Sequence, residues 1–167
     1  EMYSLTGQST IAKTSAEVIE VHLDPPDPPA SPSVLEAIET SDVLVLGPGS
    51  WFTSVMPHLL VPQIVEAIMD SDALKILTLN VAGADETNGF SPARHLEVLA
   101  EHEPRIRFDV VLADRSFARS DPHLGTFARN LGARIVEADL AMHDGSARHD
   151  PLRLASAYAE VMGVHIR

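Results

Sequence analysis

The chain has 167 residues, 45% of them hydrophobic and 22% charged, which is enough for one domain with a real core. Its net charge of −12, with lysine only at Lys13 and Lys75, argues against a surface that grips nucleic-acid backbones or anionic membranes. Zero cysteines exclude disulfides, thiolate nucleophiles and cysteine-based zinc sites, and no apolar run approaches the length of a membrane-spanning helix.

The opening EMYSLTGQST lacks the basic and apolar regions of a secretion signal, so a cytoplasmic location is expected. Residues 1–23 read as β-structure. Residues 9–13 and 18–23 alternate, with Ile19, Val21 and Leu23 on one side of the second run, and residues 14–17 would form the turn between them. Residues 24–32 (DPPDPPASP) carry five prolines in nine positions, which predicts a stiff, extended connection. Ser33, with Glu36 three residues on, is the expected cap of a short helix to Thr40.

Residues 42–54 (DVLVLGPGSWFTS) are the stretch around which the rest of the chain is organised. The apolar run Val43, Leu44, Val45, Leu46 is too short for an independent helix, and a tight turn comes directly after it. A buried strand delivering a glycine-rich loop is the natural reading. Leu60, Val61, Ile64, Val65 and Ile68 share one face of a helix entered near Pro62. Residues 75–81 (KILTLNV) form a second strand, and Ser91 with Pro92 opens a helix to about Glu101 with Leu96, Leu99 and Ala100 inward. Residues 108–113 are a third strand, residues 122–130 a helix stopped by Gly132, and residues 133–137 a fourth strand. Asp150 and Pro151 start a last helix with Leu154, Tyr158 and Val161 inward, closed by Gly163. This alternation predicts one α/β domain over residues 1–167: a three-layer, doubly wound, mainly parallel sheet of Rossmann-like type.

Ligands in such sheets bind at the carboxyl ends of the strands, where four candidate segments converge. The loop at Gly47, Pro48 and Gly49, continued by Ser50, Thr53 and Ser54, offers close backbone approach, free N–H groups and hydroxyls suited to phosphate. The alternative is a strand, a turn and a helix cap with no ligand. The loop matches neither the dinucleotide nor the P-loop fingerprint. The segment after the second strand carries Asn80, Asp85, Glu86, Thr87 and Asn88. It could ligate a divalent cation or accept from sugar hydroxyls, or be a polar turn with Asn88 and Gly89 at positive φ. The third segment is residues 113–121. In the fourth, Arg148 precedes a helix N-terminus capped by Asp150, a place that attracts anions, although position alone favours a solvated surface arginine. His95 is read as structural, and the remaining histidines form no metal-ligand spacing.

The run VLGPGSWFTSVMPHLLVPQIVEAI, residues 45–68, resembles the signature of the YvcK or gluconeogenesis-factor proteins, relatives of the CofD enzyme, 2-phospho-L-lactate transferase. Asn80, Glu86 with Thr87, Gly89 to Ser91, His95 with Leu96, and Arg148, His149 and Asp150 are similar to later stretches of that family. The chain lacks the Pro-Gly of the family's turn near Glu86. The resemblance implies a CofD-like fold of which this is the C-terminal part, without the GGGTG-type nucleotide loop that members carry after their first strand. It also implies a UDP-sugar ligand, chiefly UDP-N-acetylglucosamine, and a binding protein that regulates carbon metabolism, cell-wall precursor supply and cell shape. Gly47, Pro48, Gly49, Ser50, Thr53 and Ser54 would line the phosphates, Asn80, Glu86 and Thr87 would lie at the ligand, and Arg148 would clamp the diphosphate. The alternative it implies is a transferase of coenzyme F420 synthesis, the one reading that needs magnesium. A homo-oligomer is compatible with either. A nicotinamide-dependent enzyme is disfavoured, since GxGxxG is lacking.

Overall fold

The computed structural model describes residues 4–14 and 18–163. Four parallel strands form one sheet: β1 (Val43–Leu46), β2 (Leu74–Thr78), β3 (Val110–Asp114) and β4 (Arg134–Ala138), side by side in chain order. The register pairs Val45 with Ile76, Ile76 with Val110 and Val110 with Arg134. The central strands are mostly apolar because parallel strands are covered on both faces. All five residues of β3 are buried, whereas β1, at the edge, leaves Val45 47% exposed.

Because the strands run in order, successive crossovers of one hand carry their helices onto one face. That face holds α3 (Met56–Leu59), α4 (Pro62–Asp70), α5 (Pro92–His102), α6 (Arg115–Arg119) and α7 (Leu124–Asn130). Its core joins Trp51, Phe52, Met56 and Val65 to Leu96, Leu99, Leu124 and Leu131 over Leu77 and Val111 of the sheet. The other face is covered by α8 (Pro151–Gly163), whose Ala157 and Val161 pack with Leu74, Ile76, Val110 and Leu112. The expected three layers are present. No single helix among the described residues is long and apolar enough to cross a membrane.

Local signals explain the element ends. Ser91 Oγ accepts from Arg94 N at 3.2 Å, and Asp150 Oδ1 accepts from Leu152 N and Arg153 N, so both sequence-derived caps hold. After α7, Gly132 adopts φ +78°, with its N–H on Arg129 O and the next N–H, of Ala133, on Ala128 O. That is the paired closure that favours glycine.

Four expectations fail. The first predicted strand is instead one helical turn, α1 (Gln8–Ile11), begun at Gly7 with φ +98°. Residues 18–23 pair with no strand among the described residues. Val21 is buried in the core and Val18 packs against it, but Ile19 is 69% exposed, so the anchors fall three residues apart and do not make a sheet face. Residues 15–17 of the predicted turn lie outside the described residues. The helix before β1, α2 (Pro32–Thr40), starts at Ser31, because Pro32 is preorganised for the first helical position. Ser33 lies inside it, bonding Ser31 Oγ. Residues 115–119 form α6, where the sequence pattern shows only a loop between β3 and the next helix.

Leu99 is fully buried at the centre of the larger core. Leu99→Ala should cost about 2–5 kcal/mol of stability, read as a lower urea midpoint at unchanged slope.

Candidate functional site

The carboxyl edge of the sheet is built around the loop that leaves β1. Gly47 has φ +76°, and a Cβ there would sit 2.5 Å from Thr78 O, so the loop crosses the end of β2 at a distance only glycine permits. The peptide bonds before Pro25 and Pro48 are cis. Asn80, two residues past β2, pairs with Gly49 in both directions. Its Oδ1 accepts from Gly49 N at 3.2 Å, and its Nδ2 donates to Gly49 O at 2.9 Å. The side-chain amide thereby acts as a piece of neighbouring strand.

From Ser50 the backbone enters a wide, π-helical turn, Trp51–Val55, and continues into α3. Such an N-terminus leaves donors needing acceptors. Glu86 supplies one from the loop after β2: its Oε1 accepts from Trp51 N at 2.9 Å and from Ser50 Oγ at 2.6 Å. Ser50 and Thr53 also join hydroxyl to hydroxyl, and Gln8 Nε2 of α1 donates to Thr53 O at 2.9 Å. Glu86, Thr53 and Thr87 are all buried, while Ser54 is exposed. Thr87 Oγ1 is spent on Ala84, donating to its carbonyl and accepting from its N–H. In this loop Asp85 takes positive φ with Gly89. Asn88, expected there, has φ −57°, because residues 85–87 form a turn of 3₁₀-helix that places Asp85 first.

Beneath the loop lies an aromatic cluster. His95 is fully buried, edge-on to Trp51 at 5.0 Å between ring centres, and close to Phe90 and Phe117. Its Nδ1–H donates to Ser91 O at 2.8 Å. Burial holds the imidazole below its ordinary pKa, so it packs as a neutral ring. Trp51 is fully buried beside it, an anchor and not a stacking platform.

Sequence reasoning missed Asp114, the last residue of β3. Its Oδ1 accepts from Ser116 N and Phe117 N, capping α6, and its Oδ2 accepts from Leu140 N and Ala141 N. Burial alone would raise this pKa, but the four N–H donors outweigh it and hold the carboxyl below the ordinary value. An acid directly at the end of a VVLA run, just before a new helix, was the available signal. Past β4, His149 Nε2–H donates to Leu79 O at 3.2 Å, next to Asn80. Arg148 beside it is exposed. Asp144 is held low by its hydrogen bonds from Ser146, with a weaker attraction from Arg148.

The structure thus connects Gly49, Ser50, Thr53, Asn80 and Glu86 directly, and reaches Arg148 through His149 and Leu79. Thr87 shapes the loop from within. Ser54 and Arg148 face solvent. No group of three or more His, Asp or Glu among the described residues is arranged to hold a metal ion. A sizeable groove, about 690 Å³, lies at the opposite edge between α2 and α4. Glu39, Asp42, Glu66, Asp70 and Asp72 line it, a setting that repels phosphate.

Among known proteins, the family described as 2-phospho-L-lactate transferase CofD matches residues 2–150. The chain belongs to the CofD family. A protein of Mycobacterium leprae named "Putative gluconeogenesis factor" is 43% identical over 157 residues, which span 92% of this chain and 44% of that protein. A protein of the same name from Nostoc is 34% identical across 95% of this chain and 39% of its own length. A solved structure of a UPF0052-family protein from Bacillus halodurans superposes with a TM-score of 0.75 at 30% identity, covering 92% of this chain and 54% of that one. CofD membership and the gluconeogenesis-factor relatives are those that the residue 45–68 signature implied. The chain spans about half the length of these relatives.

Two outcomes test the clamps. Gly47→Ala should destabilise the fold by roughly 1–3 kcal/mol, since the added Cβ meets a backbone carbonyl at positive φ. The measurement is a denaturant melt against Gly132→Ala, where φ is positive but the nearest contact is 3.5 Å. Because the folded pKa of Asp114 lies below its unfolded value, its contribution is complete above about pH 4 and is lost as pH falls through the folded value. The stability gap between wild type and Asp114→Asn should therefore narrow in acid, read from urea midpoints between pH 7 and pH 3.

Proposed function

We propose that the chain contributes the phosphate-binding edge of a nucleotide-sugar site, with UDP-N-acetylglucosamine as the ligand class, in a protein that regulates carbon metabolism and cell-wall precursor supply. The observation that carries this reading is the linkage at the carboxyl edge: Asn80 grips Gly49, and its neighbour Leu79 accepts from His149, adjacent to exposed Arg148. The planar guanidinium pairs with two phosphate oxygens at once. Since Glu86 already occupies Trp51 N and Ser50 Oγ, and Asn80 occupies Gly49 N, the diphosphate is assigned to Arg148 and Ser54, with residues 47–49 as the close backbone surface it approaches. The gluconeogenesis-factor names of the relatives support the regulatory reading. The further length of those relatives is where a second, glycine-rich nucleotide loop is expected, so this edge is read as part of a site. The protein is assigned to the cytoplasm, where UDP-sugars are made and used.

A second reading, transfer of a phospholactyl group from a nucleotide diphosphate to a deazaflavin, is favoured by the family's description as a 2-phospho-L-lactate transferase. Turnover with a flavin-type acceptor and magnesium would establish it over the first.

Isothermal titration should show UDP-N-acetylglucosamine binding that Arg148→Ala weakens by about 1.5–3 kcal/mol, roughly 10- to 150-fold. Absence of binding to any UDP-sugar by the wild-type protein removes the reading.

A further inference from the structure

Between β4 and α8, residues 140–150 double back as a small hairpin. Ala141 and His149 face each other in an antiparallel bridge, Met142 N donates to Arg148 O at 2.8 Å, and Asp150 N donates to Leu140 O at 2.7 Å. The tip turns at Asp144, whose Oδ1 accepts from Ser146 N at 2.9 Å, with Gly145 at φ +81°. An isolated hairpin of this size is not stable in water. Its placement depends on whatever fastens it to the sheet.

Leu140 is buried in the core against β2 and β3, and two polar side chains hold the backbone, one for each arm. Asp114 Oδ2 accepts from Leu140 N at 3.0 Å and Ala141 N at 3.2 Å, fixing the outgoing arm to the end of β3. His149 Nε2–H donates to Leu79 O at 3.2 Å, fixing the returning arm beyond the end of β2. The ring is half-buried there, so its hydrogen bond is shielded from competing water. Arg148 lies directly before this anchor, its carbonyl held by Met142 N and its side chain exposed. Asp150, directly after the anchor, caps α8 and prevents the returning arm from sliding.

We propose that Asp114 and His149 are positioning residues for Arg148: they latch the hairpin to two adjacent strand ends and so set the arginine backbone at the carboxyl edge, joined to the residue 47–54 loop through Leu79 and Asn80. This rests on the reading of Arg148 as the phosphate clamp. Neither residue touches the ligand. Their effect is to place the Arg148 backbone before binding, leaving only side-chain rotations to be ordered when phosphate arrives.

The test combines amide hydrogen exchange with titration of UDP-N-acetylglucosamine and, separately, inorganic pyrophosphate. His149→Phe should speed exchange at Met142 and Asp150 while leaving β2 and β3 protected, and should weaken binding roughly tenfold. His149→Gln, which presents an N–H at nearly the same place, should restore both. In an Arg148→Ala background, His149→Phe should weaken binding no further, because the arginine through which it acts is gone. Asp114→Asn should loosen Leu140 and Ala141 in the same exchange experiment. Unchanged hairpin exchange in both His149→Phe and Asp114→Asn overturns the latch. A full loss of affinity from His149→Phe without Arg148 overturns the route through the arginine. If wild type binds pyrophosphate but no UDP-sugar, the nucleotide-sugar reading fails while the positioning role stands or falls on the pyrophosphate cycle. If it binds neither, the positioning role is overturned together with that reading.

Discussion

The carboxyl edge of this sheet depends on one constraint: backbone N–H groups that leave regular structure in half-buried surroundings must find acceptors. Side chains meet it at each strand end. Asn80 accepts from Gly49, Glu86 from Trp51, Asp114 from four N–H groups on two segments, and Asp150 from the first turn of α8. Each reaches from the loop of one strand to that of another or to the next helix. The loops of β1 and β2, and those of β3 and β4, are therefore linked above the sheet. Gly47 belongs to the same arrangement, since its passage over Thr78 O lets the first loop lie within reach of Asn80.

The range of each interaction decides how much of this is legible in the sequence. The four strands, their parallel direction and the helices α4, α5 and α8 are legible because apolar period, caps and terminal glycines are local. The caps at Ser91 and Asp150 depend on residues within three positions of each other. Residues 9–13 and 18–23 mislead for the same reason in reverse. Five or six alternating residues have no local property that separates a strand from a turn plus an extended segment, and the missing information is the absence of a neighbouring strand. Of the site, the loop at 47–54 is visible as glycine and hydroxyl chemistry. The partner of each hydroxyl is not, because Ser50 and Glu86 are 36 residues apart and meet only through parallel pairing of β1 and β2. Asp114 escapes notice because an acid closing an apolar run looks like the start of a polar loop until its four donors are located.

Electrostatics sorts the acids into two populations. Asp114 and Asp150 are consumed at the carboxyl edge by N–H donors, and Glu86 by an N–H and a hydroxyl, which spreads their charge over internal dipoles. Glu39, Asp42, Glu66, Asp70 and Asp72 gather at the amino edge around the open groove. Asp144 and exposed Asp85 also lie on the loops of the carboxyl edge, so the anion of the proposed function meets Arg148 against a net charge of −12, with the open cluster of acids at the far end of the strands.

Glu86 sharpens what the first loop can do. A carboxylate already sits at the N-terminus of the 51–55 turn, where the dipole and free N–H of a glycine-rich loop would otherwise receive a phosphate. It cannot also ligate a cation with Oε1 without releasing Trp51 N and Ser50 Oγ, and both hold the turn that places Trp51 and Phe52 in the core. The acid that looks like a metal ligand in the sequence is therefore part of the scaffold. With the turn satisfied from inside, the diphosphate of the proposed function would have to be drawn by a cation brought from elsewhere in the chain. Arg148, on its fastened hairpin, is the exposed guanidinium linked to that loop through His149, Leu79 and Asn80.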